Sequence, residues 1–246
     1  MEKDFYLQYA SVEDKHWWFV ARRRILQQVI RKLNLPTNAQ ILEAGCGTGG
    51  NLKMLSRYGQ VSAMELDEIA CQLANQRQVT QVKRGSLPLN IPFNSEDYDL
   101  IVILDVIEHL DDDLSALEAL YYKLKPGGYL LVTVPAYMFL WSEHDEINHH
   151  KRRYRLKELK QVVRKAGYQV NYGSYFNTIL FPLIAIARGL SKLLPKQNQN
   201  SNDLKLPSKL VNKILQRIFA SERYLINRFI LPFGVSVLLL ARKPNS

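Results

Sequence analysis

Cysteine is scarce in this chain, with only Cys46 and Cys71 among 246 residues. Cys46 lies inside a glycine-rich stretch, so a disulfide framework is excluded as the basis of the fold and a reducing cytoplasm is the expected setting. No apolar run approaches the roughly 20 residues of a membrane-spanning helix. The run from Ile179 to Ala187 is broken by Pro182 and closed by Arg188. The opening MEKDFYLQ lacks the basic flank and apolar stretch of a secretory leader. Internal repeats are missing, and only QNQNSND (197–203) has the composition of a flexible polar connector. Acids almost vanish near the end: residues 177–246 hold eleven Lys/Arg but only Asp203 and Glu222. Of the net charge of +10, that segment carries +9. Such asymmetry predicts an anionic partner, membrane lipid or nucleic acid, unless the bases form a solvated face.

With 47% hydrophobic and 23% charged residues, the chain has the composition of a globular protein with one well-buried core and a small appendage. Strands are predicted at QILEAG (40–45), QVSAME (60–65), DLIVILD (99–105), YLLVTVP (129–135), YQVNYG (168–173) and VSVLLLAR (235–242). Between them LKMLSRYG, IACQLANQR, LSALEALYYKL and LKELKQVVRKAG are apolar at helical spacing. This alternation implies an α/β fold, a mostly parallel sheet with helices on both faces. Lys125-Pro126-Gly127-Gly128 is expected to stop a helix and turn the chain into the next strand. Residues 1–39 form an expected N-terminal helical cap, 40–176 the core, 177–234 a basic amphipathic helical insertion, and 235–246 the last strand and tail. In the cap, Trp17-Trp18-Phe19 precedes Arg22-Arg23-Arg24. Those aromatics pack on the sheet, and an arginine among the three can face a ligand carboxylate.

ILEAGCGTGG (41–50) runs from a strand into glycines and then a helix. Glycines there let backbone approach a ligand closely, and the helix N-terminus offers unpaired amides. Gly45, Gly47 and Gly50 also fit the dinucleotide pattern G-x-G-x-x-G, but Glu43 would repel a pyrophosphate and suits a cationic ligand. Glu65, twenty residues past Gly45, ends the second predicted strand and suits ribose hydroxyls. In order and spacing, Glu43-Ala44-Gly45-Cys46-Gly47-Thr48-Gly49, Glu65, Asp105-Val106-Ile107-Glu108-His109 and Pro126-Gly127-Gly128 resemble the class I S-adenosylmethionine-dependent methyltransferases. The HWWF and HHKRRYR stretches are similar to a bacterial subgroup of that family. The resemblance implies a Rossmann-like, seven-stranded, mostly parallel sheet with S-adenosyl-L-methionine at the strand ends. It implies Gly45, Gly47 and Gly49 against the methionine half, Glu43 organising the ammonium site, and Glu65 on the ribose. Asp105 would line the amino-acid end. Ser86 and Leu87 stand where relatives read adenine with an acid, so backbone at Leu87 is the expected substitute.

Methyl transfer from a sulfonium needs an oriented nucleophile and excluded water, and no metal in principle. A hydroxyl nucleophile gains from a base, for which His109, His144 and His149 are the candidates, with His150 alongside. HDEINHHKRRYR (144–155) belongs to the connection after the strand 129–135. Adjacent histidines in an extended loop point apart, so no metal is expected there. The acids of this stretch offset most of its bases, which argues against a nucleic-acid patch. It is expected either as an ion-paired surface loop, with Tyr154 and Leu156 on the core, or as a lid in which Arg152 and Arg153 hold an anionic group. Further on, Val211, Leu215, Ile218, Leu225 and Phe229 form a predicted apolar stripe, with Lys209, Lys213, Arg217, Arg223 and Arg228 on other faces. Such helices suit an interfacial membrane contact, or bury their apolar faces on the protein. The expected function is methyl transfer to a hydroxyl of an amphipathic or lipid-linked acceptor, in the cytoplasm and peripheral to an anionic membrane. An RNA methyltransferase and a cofactor-binding scaffold are the alternatives, the former opposed by a tail whose bases alternate with aliphatics rather than stacking aromatics.

Overall fold

The computed structural model describes residues 3–94, 96–193 and 205–245, so the polar connector 197–203 lies outside the described residues. The strands are β1 (Gln40–Ala44), β2 (Gln60–Glu65), β3 (Val82–Arg84), β4 (Tyr98–Leu104), β5 (Leu124–Pro135), β6 (Gln169–Phe176) and β7 (Ser236–Arg242). They form a seven-stranded sheet of order β3-β2-β1-β4-β5-β7-β6, Rossmann-like as expected. All neighbours are parallel except β7, which runs antiparallel to both β5 and β6. The strand order reverses between β1 and β4, and in open α/β sheets that switch point opens a crevice beyond the carboxyl ends.

Period-two alternation sorts the central strands between two cores. Leu42, Ile101, Ile103 and Val132 face one side, where α5 (Asp113–Tyr121) and α7 (Leu156–Lys165) contribute Leu117, Leu120, Leu159 and Val163. Ile41, Leu100, Val102 and Leu131 face the other, covered by α2 (Trp17–Ile30), α3 (Leu52–Leu55) and α9 (Lys209–Ser221). Strands buried on both faces have no polar side to display, which is why DLIVIL is nearly continuous in apolar residues.

Several local expectations change. β3 is a strand without a sequence signal, because two of its three residues are the exposed Lys83 and Arg84 and no apolar run marks it. The cap is two helices, α1 (Lys3–Val12) and α2, separated at the turn where His16 accepts from the Trp18 amide as N-cap. LKMLSRYG makes only the single turn of α3. Lys125-Pro126-Gly127-Gly128 falls within the irregular start of β5, with Gly127 at φ +75°.

The C-terminal stripe is displaced as well. α9 stops at Ser221, and a short 3-10 turn follows at Glu222–Tyr224. Its docked face carries Phe219 and Ala220, with Leu215 and Ile218 partly covered, while Val211, Leu225 and Phe229 are exposed. Phe219 stacks on Phe176 of β6 and meets Trp17 edge-on, at centroid distances of 6.0 Å each. The docked face is thus set by what α2 and the sheet present, which helical periodicity alone does not specify. Phe219→Ala should cost about 3–5 kcal/mol in urea unfolding, because it empties a fully buried aromatic site. A loss below about 1 kcal/mol would mean that α9 is not docked in solution.

Candidate active site at the crest of β1 and β4

The glycine loop leaves β1 with Gly45, Gly47 and Gly49 all at positive φ. At Gly45 a Cβ would meet Val106 at 2.7 Å, so only glycine lets the loop pass the turn after β4. At Gly47 a Cβ would meet nothing within 4 Å, leaving open space on the crevice side of a strained backbone. Glu65, at the end of β2, ties this loop down. Its Oε2 accepts from the Gly47 amide at 2.7 Å, and its Oε1 accepts from the Leu66 and Asp67 amides at 2.8 and 3.0 Å.

Glu43 is fully buried two residues before the loop. Its Oε1 accepts from Asn51 Nδ2 at 2.9 Å, whereas Oε2 has no hydrogen-bond partner among the described residues. Burial pushes its carboxyl up to about 8. An orphaned acid oxygen beside an open glycine cradle fits the ammonium and amino-acid half of S-adenosylmethionine.

Asp105 follows β4 at φ +56°, a conformation held by its amide on the Thr133 carbonyl at 2.9 Å. Its carboxylate accepts from Thr133 Oγ1 at 3.1 Å and pairs with Arg22 Nη2 at 2.7 Å. Arg22 also donates to Thr133 Oγ1 at 2.8 Å, and its guanidinium lies 5.1 Å from the Trp18 ring centroid. Of the arginines in the N-terminal cluster, Arg22 is the one that reaches the crest. Glu13, between α1 and α2, braces the glycine loop from outside through Thr48 Oγ1 and Arg77 Nη2. Arg77 Nε donates to the Thr48 carbonyl at 2.6 Å. No sequence signal marks that trio, because its members are far apart along the chain. Ser86 and Asn90 bond each other's backbone both ways and close a tight turn over Leu87.

The connection after β5 is not an extended loop. Ser142 caps a short helix, α6 (Glu143–Ile147), and its amide donates to Asp145 Oδ2 at 2.8 Å. Asp145 is fully buried and accepts from Arg153 Nε at 2.7 Å and Nη2 at 2.9 Å, while Arg153 Nη1 donates to the Ala136 carbonyl. Arg153 is therefore an internal clamp rather than a holder of substrate anions: it is buried, and each of its three guanidinium nitrogens already donates within the protein. Arg152 donates to the carbonyls of Leu110 and Asp111 and pairs with Asp113, fastening the connection to the turn after β4. Tyr154 is buried, as expected of a residue tucked onto the core, and donates to Asp113 at 2.6 Å.

The histidines divide. His149 is exposed at φ +54°, and His150 turns inward to place its ring 4.6 Å from that of His109. His144 lies 6.0 Å from His150. Burial, then His150, pushes His109 down to about 4.

Glu43 makes a measurable contribution to pH dependence. Its folded pKa is raised, so the unfolded chain gives up this proton first, and stability falls as pH rises between about 5 and 8. The slope for this one group is up to about 1.4 kcal/mol per pH unit. Urea unfolding at pH 5, 6 and 7 should show a flatter slope in Glu43→Gln than in the parent. Parallel slopes would mean that Glu43 is already ionised in the folded protein.

Comparison with known proteins agrees with this geometry. A family profile described as "Methyltransferase domain" matches residues 18–172. A Mycolicibacterium smegmatis protein named as an S-adenosylmethionine-dependent methyltransferase is 26% identical over 164 residues, covering 65% of this chain and 62% of that protein. The ubiquinone biosynthesis O-methyltransferase of Vibrio cholerae is 25% identical over 125 residues, covering 46% and 51%. The matched stretches thus span less than two thirds of the length of these curated relatives. Among solved structures, phosphoethanolamine N-methyltransferase 2 of Haemonchus contortus, in complex with S-adenosyl-L-methionine, superposes with a TM-score of 0.57. Its identity is 19%, over 89% of this chain and 52% of that one, a likeness of fold. The profile match over more than half the chain, on a sheet of this order, places the protein in the class I S-adenosylmethionine-dependent methyltransferase family.

Proposed function

We propose that this protein transfers a methyl group from S-adenosylmethionine to a hydroxyl of an amphipathic or lipid-linked acceptor. The bound sulfonium supplies an electrophilic methyl whose leaving group departs neutral, so the protein's task is orientation and exclusion of water. Glu43 and the open face of Gly47 hold the amino-acid half, Glu65 the ribose, and Arg22 with Asp105 the floor between cofactor and acceptor. Of the candidate histidines we assign the hydroxyl proton to His144, because His149 is exposed and burial pushes His109 down to about 4.

The observation that carries the acceptor class is an apolar stripe on α8 (Phe181–Leu193). Leu183, Ile186 and Leu190, one helical face apart by three and four residues, are 67%, 61% and 57% exposed. This helix meets the connection after β5: Phe181 packs near Tyr137 and Phe139, and Arg188 Nη1 donates to the Leu140 carbonyl at 2.6 Å. Met138, Phe139, Ile179 and Phe233 extend the exposed apolar surface. The +9 charge of residues 177–246, the segment to which this helix belongs, complements an anionic lipid surface. Among the described residues no helix is long and apolar enough to cross a membrane, so the contact proposed is interfacial. The quinone O-methyltransferase among the relatives supports a hydroxyl acceptor.

Isothermal titration calorimetry should show S-adenosylmethionine affinity reduced at least about tenfold by Glu65→Ala, through the loss of charge-assisted hydrogen bonds, and abolished by Gly47→Arg. Unchanged affinity in both variants would defeat the cofactor placement. With labelled cofactor, native lipid and glycolipid extracts should accept methyl groups, and serine at Leu183, Ile186 and Leu190 together should abolish flotation with anionic vesicles. Label entering only the RNA fraction, or undiminished flotation, would reject the acceptor class.

A further inference from the structure

Glu108 is unexplained by methyl transfer alone. It is fully buried in the turn Ile107–His109, and neither carboxylate oxygen hydrogen-bonds another described residue. A buried carboxylate without donors is costly, and proteins resolve that cost by protonation or by a cation. Two imidazoles share its neighbourhood: one ligand atom each from Glu108, His109 and His150 lie within 4.8 Å of one another. The His109 and His150 rings are 83° apart in plane, as two imidazoles on one centre can be.

The His150 ring is also held from behind, its Nδ1 lying 2.8 Å from Asp145 Oδ1. When one nitrogen is committed as a donor to an outer carboxylate or carbonyl, the other keeps a lone pair, the pattern that metal-bound imidazoles show. The outer support is itself rigid, since Arg153 and the Ser142 amide hold Asp145. The Lys151 amide donates to the Glu108 carbonyl at 2.8 Å and fixes the two segments to each other.

We infer that Glu108, His109 and His150 bind a divalent transition-metal ion on the acceptor side of the crevice. Two imidazoles and one carboxylate suit zinc, cobalt, nickel or iron rather than magnesium or calcium. Bonds near 2.1 Å separate the ligands of a tetrahedral ion by about 3.4 Å. Binding from separations within 4.8 Å therefore closes the ligand atoms by at most about 1.4 Å. Three protein ligands leave a coordination position open, and an acceptor hydroxyl there would lose its proton more readily. That last role rests on the proposed O-methylation, whereas ion binding does not.

The test titrates Co²⁺ into the metal-stripped full chain, followed by calorimetry and visible d–d absorption. One ion per chain is expected. His150→Ala and Glu108→Gln should each weaken uptake at least about tenfold, while the exposed His149→Ala keeps it. Thermal melts and S-adenosylmethionine calorimetry on the same variants report folding; if Glu108→Gln does not fold, His150→Ala decides. No stoichiometric uptake by the parent, or equal uptake by a folded His150→Ala, would overturn the site. Metal uptake with no methylated lipid would retain the site and remove the acceptor assignment, so the two failures are distinct.

Discussion

The Arg22–Asp105 ion pair is the contact through which the separate parts of the crest are assembled. Arg22 is buried on α2, Asp105 follows β4, and Thr133 of β5 bonds to both. Removing one partner would strand the other charge in a poorly solvated place, so the pair fixes α2 against the sheet far more firmly than a surface pair could. Once α2 is fixed, Glu13 just before it meets Thr48 and Arg77, and the outside of the glycine loop is set. The positive φ of Asp105 persists because three elements converge on it.

Acids in and beside the crest fall into two groups with different consequences. Asp105 and Asp145 have their oxygens answered by arginine, hydroxyl or amide, and they build the frame. Glu43 has one oxygen unanswered and Glu108 has both. Frame acids stabilise; unanswered acids carry an unrecovered desolvation cost that a cationic ligand can offset. A third acid with an unanswered oxygen, Glu222, lies elsewhere, its other oxygen accepting from the Thr178 and Ile179 amides, whereas Glu43 and Glu108 flank the switch point of the sheet, one before the glycine loop and one beside the histidines.

The connection after β5 combines two expectations that the sequence left separate. Its acids and bases do pair, but the principal pair, Asp145 with Arg153, is buried rather than on the surface. That internal pair turns His150 toward His109 and leaves His149 exposed. The adjacent histidines part company although the chain is not extended there, His149 lying exposed at φ +54° while His150 finds its partners at a different strand end.

What the sequence alone determined was everything set by local order and periodicity. The apolar runs of β1, β4 and β5, the glycines after β1, and the acids at the ends of β1, β2 and β4 all precede any packing and implied the sheet with its crevice. Tertiary structure decided the rest. It chose Phe219 and Ala220 as the docked face of α9, because α2 and Phe176 supply the complementary surface. It made β3 a strand by pairing it with β2, without an apolar run of its own. It also spent Arg153 inside the protein and gathered Glu108, His109 and His150, since side chains about forty positions apart acquire a common environment only when the chain folds back on itself.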